Sequence, residues 1–204
     1  MLRTFRAALA ALALLAAASA GPVAAQQCGT QCGAERWAVK TLTDADRGRV
    51  SFAPVDETVS ALRALAHPQS LPTNGRFGPV ELTTYTVHAV LLGWLLEGDR
   101  DMHLVIAEPT DTSRTMIAEV PSTTCQRVCS SGHLRQIRAV RRALLDRLGY
   151  PKKKYAALAQ PLEVTVTGVG FFDFAHHQTG LAPNAIELHP VLGIEFSTPS
   201  APPR

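Results

Sequence analysis

Alternation of apolar and polar positions dominates the chain from residue 80 onward and predicts a β-rich fold. Between Tyr85 and Leu91 every second residue is apolar. This pattern predicts one long strand over residues 80–96 that bends or bulges near Gly93. Two further strands are predicted, after short polar turns, over residues 101–106 and 115–120. The three strands are expected to form a meander.

A helical pattern follows these strands. Over residues 130–148 the apolar positions recur at steps of three and four, and Gly149 and Pro151 come directly after, as is typical of an amphipathic helix and its end. The helix carries five arginines, which are interpreted as a solvated face. The alternative is an anion-binding patch that Lys152–Lys154 complete. Two more strands are predicted over residues 162–172 and 185–196.

The order of three strands, one helix and two strands is that of the OB-fold, a five-stranded and partly open barrel. The sequence thus predicts a mainly β protein with one or two helices, whose OB-fold-like barrel covers residues 80–197. Residues 26–79 are predicted to be an N-terminal extension, with a short strand at 37–42 and a short helix at 57–65. Residues 198–204 are predicted to be a disordered tail.

The first 25 residues are typical of a signal peptide. Arg3 and Arg6 precede an Ala/Leu run from Ala7 to Ala18, and small residues stand before a cleavage point at Gln26. We therefore expect an exported protein, periplasmic or secreted, and no later apolar run is long enough to span a membrane. Removal of the two leader arginines leaves a nearly neutral chain, which argues against nonspecific nucleic-acid binding.

Four cysteines occur as two pairs with the same spacing, Cys28-x3-Cys32 and Cys125-x3-Cys129. In an exported protein these cysteines are expected to form disulfides. Three pairings are open, and a zinc site built from the four thiolates is the alternative.

The loop between the last two predicted strands is rich in groups that can do chemistry. The candidate ligand or metal cluster consists of Asp173, His176, Glu187 and His189. Glu187 and His189 are two residues apart and share one face of their strand. That arrangement suits a carboxylate that orients an imidazole, or two ligands on one divalent metal. A structural hydrogen-bond network is the simpler alternative.

A second set of candidates lies on the earlier strands: Asp101, His103, Glu119 and His177. Glu119 ends the third strand, which runs beside the fifth in this topology, and could approach His189. Asp101 and His103 lie one strand further away, so joining them to His189 would require a strongly curved sheet. His103 is expected to be a core-edge imidazole bonded to Asp101.

Several phrases resemble an uncharacterised family of exported bacterial proteins with an OB-fold-like barrel. They are Asp101-Met-His-Leu-Val-Ile, Thr115-Met-Ile-Ala-Glu-Val-Pro, Gly168-Val-Gly-Phe-Phe-Asp and Ile186-Glu-Leu-His-Pro-Val. The resemblance implies architecture and export, and no activity. After the Phe-Phe-Asp element the family phrase is His-Gly-Gln, which His176 and Gln178 match. His177 stands where the family has glycine, so the resemblance implies no role for it.

Three functions agree with these features. The first is a non-catalytic exported module without a cofactor that binds a small ligand, an oligosaccharide or an envelope protein at an open face beside the last two strands. The second is a metal-assisted, phosphodiesterase-like hydrolase that uses the His/carboxylate cluster. The third is a purely structural role. The sequence contains no Gly-x-Ser-x-Gly, Walker or His-Glu-x-x-His motif, so no catalytic residue is assigned.

Overall fold

A computed structural model describes residues 28–30 and 32–197. The signal peptide predicted over residues 1–25 and the tail predicted over 198–204 lie outside the described residues. The described chain is mainly β. Its strands are β1 (Ser51–Glu57), β2 (Thr83–Leu96), β3 (Met102–Glu108), β4 (Asp111–Val120), β5 (Ala156–Phe172) and β6 (Ile186–Phe196). Its α-helices are α1 (Trp37–Lys40), α2 (Val59–Arg63), α3 (Gln126–Ser130) and α4 (Leu134–Leu148).

The strands form one six-stranded sheet in the order β1-β2-β3-β4-β6-β5, and β2 also pairs with β5. Strand β5 pairs with one edge of β2 from Thr84 to Trp94. Strands β1 and β3 therefore pair with the opposite edge of β2. Strand β6 lies between β4, to which it is parallel, and β5, to which it is antiparallel. Residues near the end of β4 are thereby brought beside residues near the start of β6.

Register shifts interrupt several ladders of the sheet, and two of them lie at glycines. The register of β2 shifts between Leu91 and Gly93 against both β3 and β5, which confirms the predicted bulge near Gly93. The β5–β6 ladder shifts around Gly168 and Gly170. A Cβ atom added at Gly170 would lie 2.6 Å from the Val80 carbonyl oxygen, so this close approach of two backbones requires glycine.

The main core lies on one face of the sheet. Alternate residues of β3, β4 and β6 point into it, among them Leu104, Ala118 and Leu188, and α4 adds its apolar stripe of Ile137, Val140 and Leu144. Full burial of a Val, Leu or Ile side chain in this core stabilises the fold by about 1.5–3 kcal/mol. The residues in between on β3, β4 and β6 face the other side, where the candidate site lies.

The predicted strand over residues 37–42 is wrong, because α1 occupies this segment. The backbone N–H and the hydroxyl of Thr41 both donate to the Trp37 carbonyl and close the single turn. A short apolar pattern cannot distinguish such a turn from a strand. Strand β1 was not predicted, because it is an exposed strand that contains Pro54 and has almost no buried face.

The N-terminal segment is tied to the sheet. Cys28 pairs with Cys129 and Cys32 with Cys125, so the zinc alternative for the four cysteines is wrong. Arg36 forms a two-pronged ion pair with buried Glu81, with both N–O distances 2.7 Å. A second buried pair joins Arg76 to Asp44 at 2.6 Å. Two disulfides are typical of an oxidising, extracytoplasmic location. Within the described ranges, none of the helices has both the length and the apolar character required to span a bilayer.

Candidate functional site

His189 lies at the centre of a buried group of acids and imidazoles. Its Nδ1 is 3.2 Å from Glu119 Oε2 and 3.7 Å from Glu187 Oε2, and its Nε2 is 3.6 Å from Asp101 Oδ2. His103 completes the group through Glu119. We call Asp101, His103, Glu119, Glu187 and His189 the acid–imidazole cluster. No member is more than 5% exposed.

Strand pairing explains why these residues meet. Glu187 and His189 alternate with core residues of β6 and therefore share its outer face. The parallel register of Ile117 with Glu187 places Glu119 beside His189, and His103 is the direct partner of Glu119 in the β3–β4 ladder. Asp101, just before β3, is fixed by the Ser122 backbone N–H, which donates to its Oδ1 at 2.8 Å.

His103 is held as a cation. Its Nε2 lies 2.9 Å from the Thr179 carbonyl, and because a carbonyl only accepts, Nε2 donates. Its Nδ1 faces Glu119 Oε1 at 3.0 Å and Glu97 Oε1 at 3.2 Å, so this nitrogen also carries a proton. Burial alone lowers the pKa of His103, but the hydrogen bonds to Glu119 and Glu97 outweigh it and raise the pKa to about 10.

The expected bond from His103 to Asp101 is therefore wrong. Asp101 instead accepts from Ser122 and turns its second oxygen toward His189. The sheet brings Asp101 within reach of His189 although β4 lies between their strands. Asp101, His103 and His189 thus belong to one cluster: Glu119 links the two imidazoles, and Asp101 contacts His189 directly.

Several polar atoms of the cluster lack hydrogen bonds. Among the described residues, the buried unpartnered atoms include Asp101 Oδ2, both carboxylate oxygens of Glu187 and both ring nitrogens of His189. The contacts of His189 with its acids are close enough for an ion pair, but they lack hydrogen-bond geometry. An unpartnered buried polar group costs about 1–3 kcal/mol, and native proteins seldom keep several together without a bound water or ion.

Burial and neighbouring charges shift the pKa values of the residues in the acid–imidazole cluster. Burial raises the pKa of Asp101 and of Glu187 to about 7. Burial also acts to raise the pKa of Glu119, but His103 and His189 outweigh it and hold that pKa well below its usual range. Burial lowers the pKa of His189, whereas contacts with its three carboxylates raise it well above its usual value. The cluster favours positive charge at its centre.

Aromatic rings and a lysine cover the cluster. The rings of Trp37 and Phe171 lie 6.5 Å and 5.6 Å from the His189 ring, both edge-on. Lys40 Nζ is 2.8 Å from Asp173 Oδ2 and 5.2 Å from the centre of the Phe171 ring. The face expected to be open beside the last two strands is thus covered by the N-terminal segment.

A surface depression of about 270 Å³ borders these covering side chains, because Trp37 and Lys40 both line it. Residues that line it include Glu35, Lys40, Glu97, Glu119, Asp173 and His176. Glu119 therefore connects the buried cluster to the surface. The depression is acidic, because its carboxylates outnumber the single lysine, so it favours cationic ligands.

The four residues predicted to form one cluster are divided between the buried acid–imidazole cluster and the surface depression. Glu187 and His189 lie inside the acid–imidazole cluster, while Asp173 and His176 line the depression. Asp173 pairs with Lys40, and His176 Nε2 lies 2.9 Å from Glu35 in an exposed pair. His177 is exposed. Sequence reasoning missed Lys40 and Glu35, because no local pattern marks residues that reach the site from the extension.

Among the residues that the structure describes, three groups could hold a metal ion, each with ligand atoms within 4.8 Å of one another. They are Asp101–Glu119–His189, Glu97–His103–Glu119 and Glu35–Asp173–His176. In the second group, both ring nitrogens of His103 already have hydrogen-bond partners. In the third, Asp173 is already paired with Lys40 at 2.8 Å, and both Glu35 and His176 are exposed. Of the three, Asp101–Glu119–His189 is the group whose imidazole is buried and unpartnered.

The chain was compared with protein-family models, with curated proteins and with solved structures, and none of the three comparisons gave a match. Any function must therefore be inferred from the residues of the cluster and their surroundings.

Proposed function

We propose that this chain is an exported OB-like binding module that holds a divalent metal ion at Asp101, Glu119 and His189. The OB-like part is supported by the strand order: α4 stands between β4 and β5, and β2 pairs with both β3 and β5. Export is supported by the predicted leader together with the two disulfides.

The observation that carries the metal site is the set of unpartnered buried atoms on Asp101, Glu187 and His189. Imidazole nitrogen and carboxylate oxygen are ligands that Zn²⁺ and several first-row metals accept. Tetrahedral zinc, with bonds of about 2.0–2.1 Å, separates its ligand atoms by about 3.3 Å. One ligand atom each from Asp101, Glu119 and His189 lies within 4.8 Å of the others. Asp101 faces Nε2 of His189 and Glu119 faces Nδ1, so a metal ion bound at one nitrogen requires the carboxylate on the other side to move toward it.

The surroundings supply what a metal site requires. Glu119 is held by His103 through its other oxygen, which fixes the orientation of the carboxylate in the way that neighbours of metal ligands do. Glu187 adds a further carboxylate next to the imidazole. An ion of charge two would balance these acids and satisfy their free oxygens.

The test is metal binding by the mature protein after treatment with chelator. Isothermal titration with Zn²⁺ and with Mn²⁺ should show one saturable site, and elemental analysis should find the same metal after dialysis. His189→Gln should abolish this site. His88→Gln is the matched control, because His88 is exposed on β2 and its side chain contacts Thr165, away from the acid–imidazole cluster. Absence of binding by the folded wild-type protein would refute the proposal whatever the variants do.

A second candidate, metal-assisted phosphodiester hydrolysis, is favoured by one observation. Glu119 links the proposed metal ligands to a depression that also holds the Lys40 ammonium. The depression is acidic without metal, but a bound divalent ion would offset its carboxylates, so that a substrate phosphate could approach the metal and Lys40. A metal beside an opening can activate water for attack. The metal-loaded protein would then hydrolyse bis(p-nitrophenyl) phosphate, and His189→Gln would not. A protein that binds metal without this activity is a binding module only.

A further inference from the structure

A second and larger cleft lies at the turn between β2 and β3. Its volume is about 750 Å³, and residues that line it include Glu97, Arg100, Ser122, Arg141, Tyr150 and Lys153. Its size is within the range of about 300–1,000 Å³ typical of small-molecule sites. Glu97 borders both this cleft and the acidic depression, but the cleft contains none of the three proposed metal ligands.

The charge of the cleft is opposite to that of the depression. Arg100, Arg141 and Lys153 supply three cations, and Glu97 is the single carboxylate among the lining residues. A phosphate monoester carries a charge of about −1.5 to −2 at neutral pH. The excess of cations thus matches a phosphate group better than a monovalent carboxylate.

Arg141 is fixed in place by the chain itself. Its Nη1 donates to the Val120 carbonyl at 2.9 Å and to the Pro121 carbonyl at 3.3 Å. No other hydrogen bond of this guanidinium is found in the part of the chain that the structure describes. The remaining donors are therefore available for a two-pronged contact with a phosphate, and their position is set before a ligand arrives.

The other side chains stand at the rim. The turn that carries Arg100 is closed by two backbone hydrogen bonds, Arg100 N to Glu97 O and Glu97 N to Asp101 O. Tyr150 is 78% exposed and lines the cleft, so its ring is accessible to a ligand there. An aromatic face at the mouth of a polar cleft suits stacking with a sugar or a base.

We propose that this cleft binds a small organic phosphate, with its phosphate group at Arg141, Arg100 and Lys153 and its ring on Tyr150. Binding of the phosphate group is inferred from the geometry of Arg141 and the excess of cations. Stacking of the ligand's ring is inferred from the exposed ring of Tyr150. The proposal does not depend on the metal site.

The test is isothermal titration of the mature protein with inorganic phosphate, glucose 6-phosphate and AMP, using glucose and adenosine as uncharged counterparts. At least one of the two organic phosphates should bind with a Kd below about 1 mM, whereas glucose and adenosine should not bind. Comparison of the two organic phosphates identifies the ring. Failure of all the phosphates to bind would overturn the proposal.

Two sets of variants locate the site. Arg100→Gln combined with Lys153→Gln should weaken organic phosphate binding about tenfold or more, and both residues are exposed, so the fold should persist. Arg135→Gln combined with Lys154→Gln removes the same charge outside the cleft and should change affinity little. An equal loss of affinity in both double variants would show only nonspecific electrostatic attraction of the phosphate, and would overturn the assignment to this cleft.

The role of Tyr150 is tested separately. Tyr150→Ser should weaken binding of the organic phosphate and leave inorganic phosphate unchanged. If Tyr150→Ser leaves the organic phosphate unaffected, the stacking part is wrong and the phosphate part stands on the charge variants. His189→Gln, which removes a proposed metal ligand, should leave phosphate affinity unchanged and so separates this proposal from the metal site.

Discussion

Glu119 Oε2 lies 3.2 Å from His189 Nδ1, although the two residues are 70 positions apart in the chain. They meet because β4 and β6 are parallel neighbours. Glu119 also contacts His103 through its other oxygen, so one carboxylate joins two buried imidazoles. This arrangement underlies both the proposed metal site and the cationic state of His103.

Metal binding should stabilise the protein. Zn²⁺ at about 100 times its Kd should add about 2.7 kcal/mol to the free energy of unfolding, which corresponds to a rise in Tm of about 5–10 °C for a chain of this size. Thermal melts with and without EDTA measure this shift. His88→Gln should show the same rise, and His189→Gln should show none. A wild-type Tm that neither Zn²⁺ nor EDTA moves would contradict the prediction.

The metal-free protein should lose stability as the pH rises above neutrality. His103 has a folded pKa of about 10 against its ordinary 6.5, so its contribution is complete below pH 6.5 and is lost as the pH rises toward 10. The raised pKa values of Asp101 and Glu187, about 7, act in the same direction at lower pH. Melts in EDTA should therefore show a Tm that falls between about pH 6 and pH 9.

A variant isolates the contribution of His103 to this pH dependence of the Tm. His103→Gln should flatten the alkaline part of this decline relative to wild type, because glutamine does not titrate. A wild-type Tm that rises over the same pH range, or a slope that His103→Gln leaves unchanged, would show that His103 is not held as a cation in the metal-free protein.

The ion pair between Arg36 and Glu81 should be essential for stability. Arg36→Met leaves the Glu81 carboxylate buried without its partner, and breaking a buried pair costs about 3–5 kcal/mol. The pair between Arg49 and Asp46 is the matched control, because Arg49 is 65% exposed. Arg49→Met should leave the urea midpoint nearly unchanged, whereas Arg36→Met should lower it strongly. Similar midpoints for both variants would contradict the prediction.

The two disulfides should be redundant for stability. Cys28–Cys129 and Cys32–Cys125 close nested loops with separations of 101 and 93 residues, so either one alone restrains nearly the same stretch of unfolded chain. A loop of this size contributes about 4.7 kcal/mol in the chain-entropy model. Replacing both cysteines of one pair with serine should therefore cost much less than replacing all four. Equal and additive losses from the two pairs in urea melts would contradict this prediction.

The local sequence pattern predicted strands and helices where buried residues recur at a regular spacing. The alternation in β2 and the spacing of Ile137, Val140 and Leu144 in α4 predicted a strand and a helix. The contact of Glu119 with His189 followed from the expected strand order. Each of these features can be derived from a short window of sequence or from the order of the elements.

The remaining features depend on long-range geometry. Asp101 reaches His189 only because of the way the sheet brings β3 and β6 together. Lys40 meets Asp173, and Arg36 meets Glu81, across separations that no local pattern encodes. The exposed strand β1 has no apolar face to mark it. Sequence therefore indicated which residue types could form a site, whereas the partners from the N-terminal segment required the fold.

The most direct test of the metal site is anomalous scattering at the zinc edge from a crystal of the mature protein soaked in Zn²⁺ and rinsed. The account predicts a peak within about 2.0–2.2 Å of ligand atoms from His189 and Glu119, with Asp101 as the third ligand. No peak at His189, or zinc bound only at the exposed Glu35 and His176 pair, would contradict it.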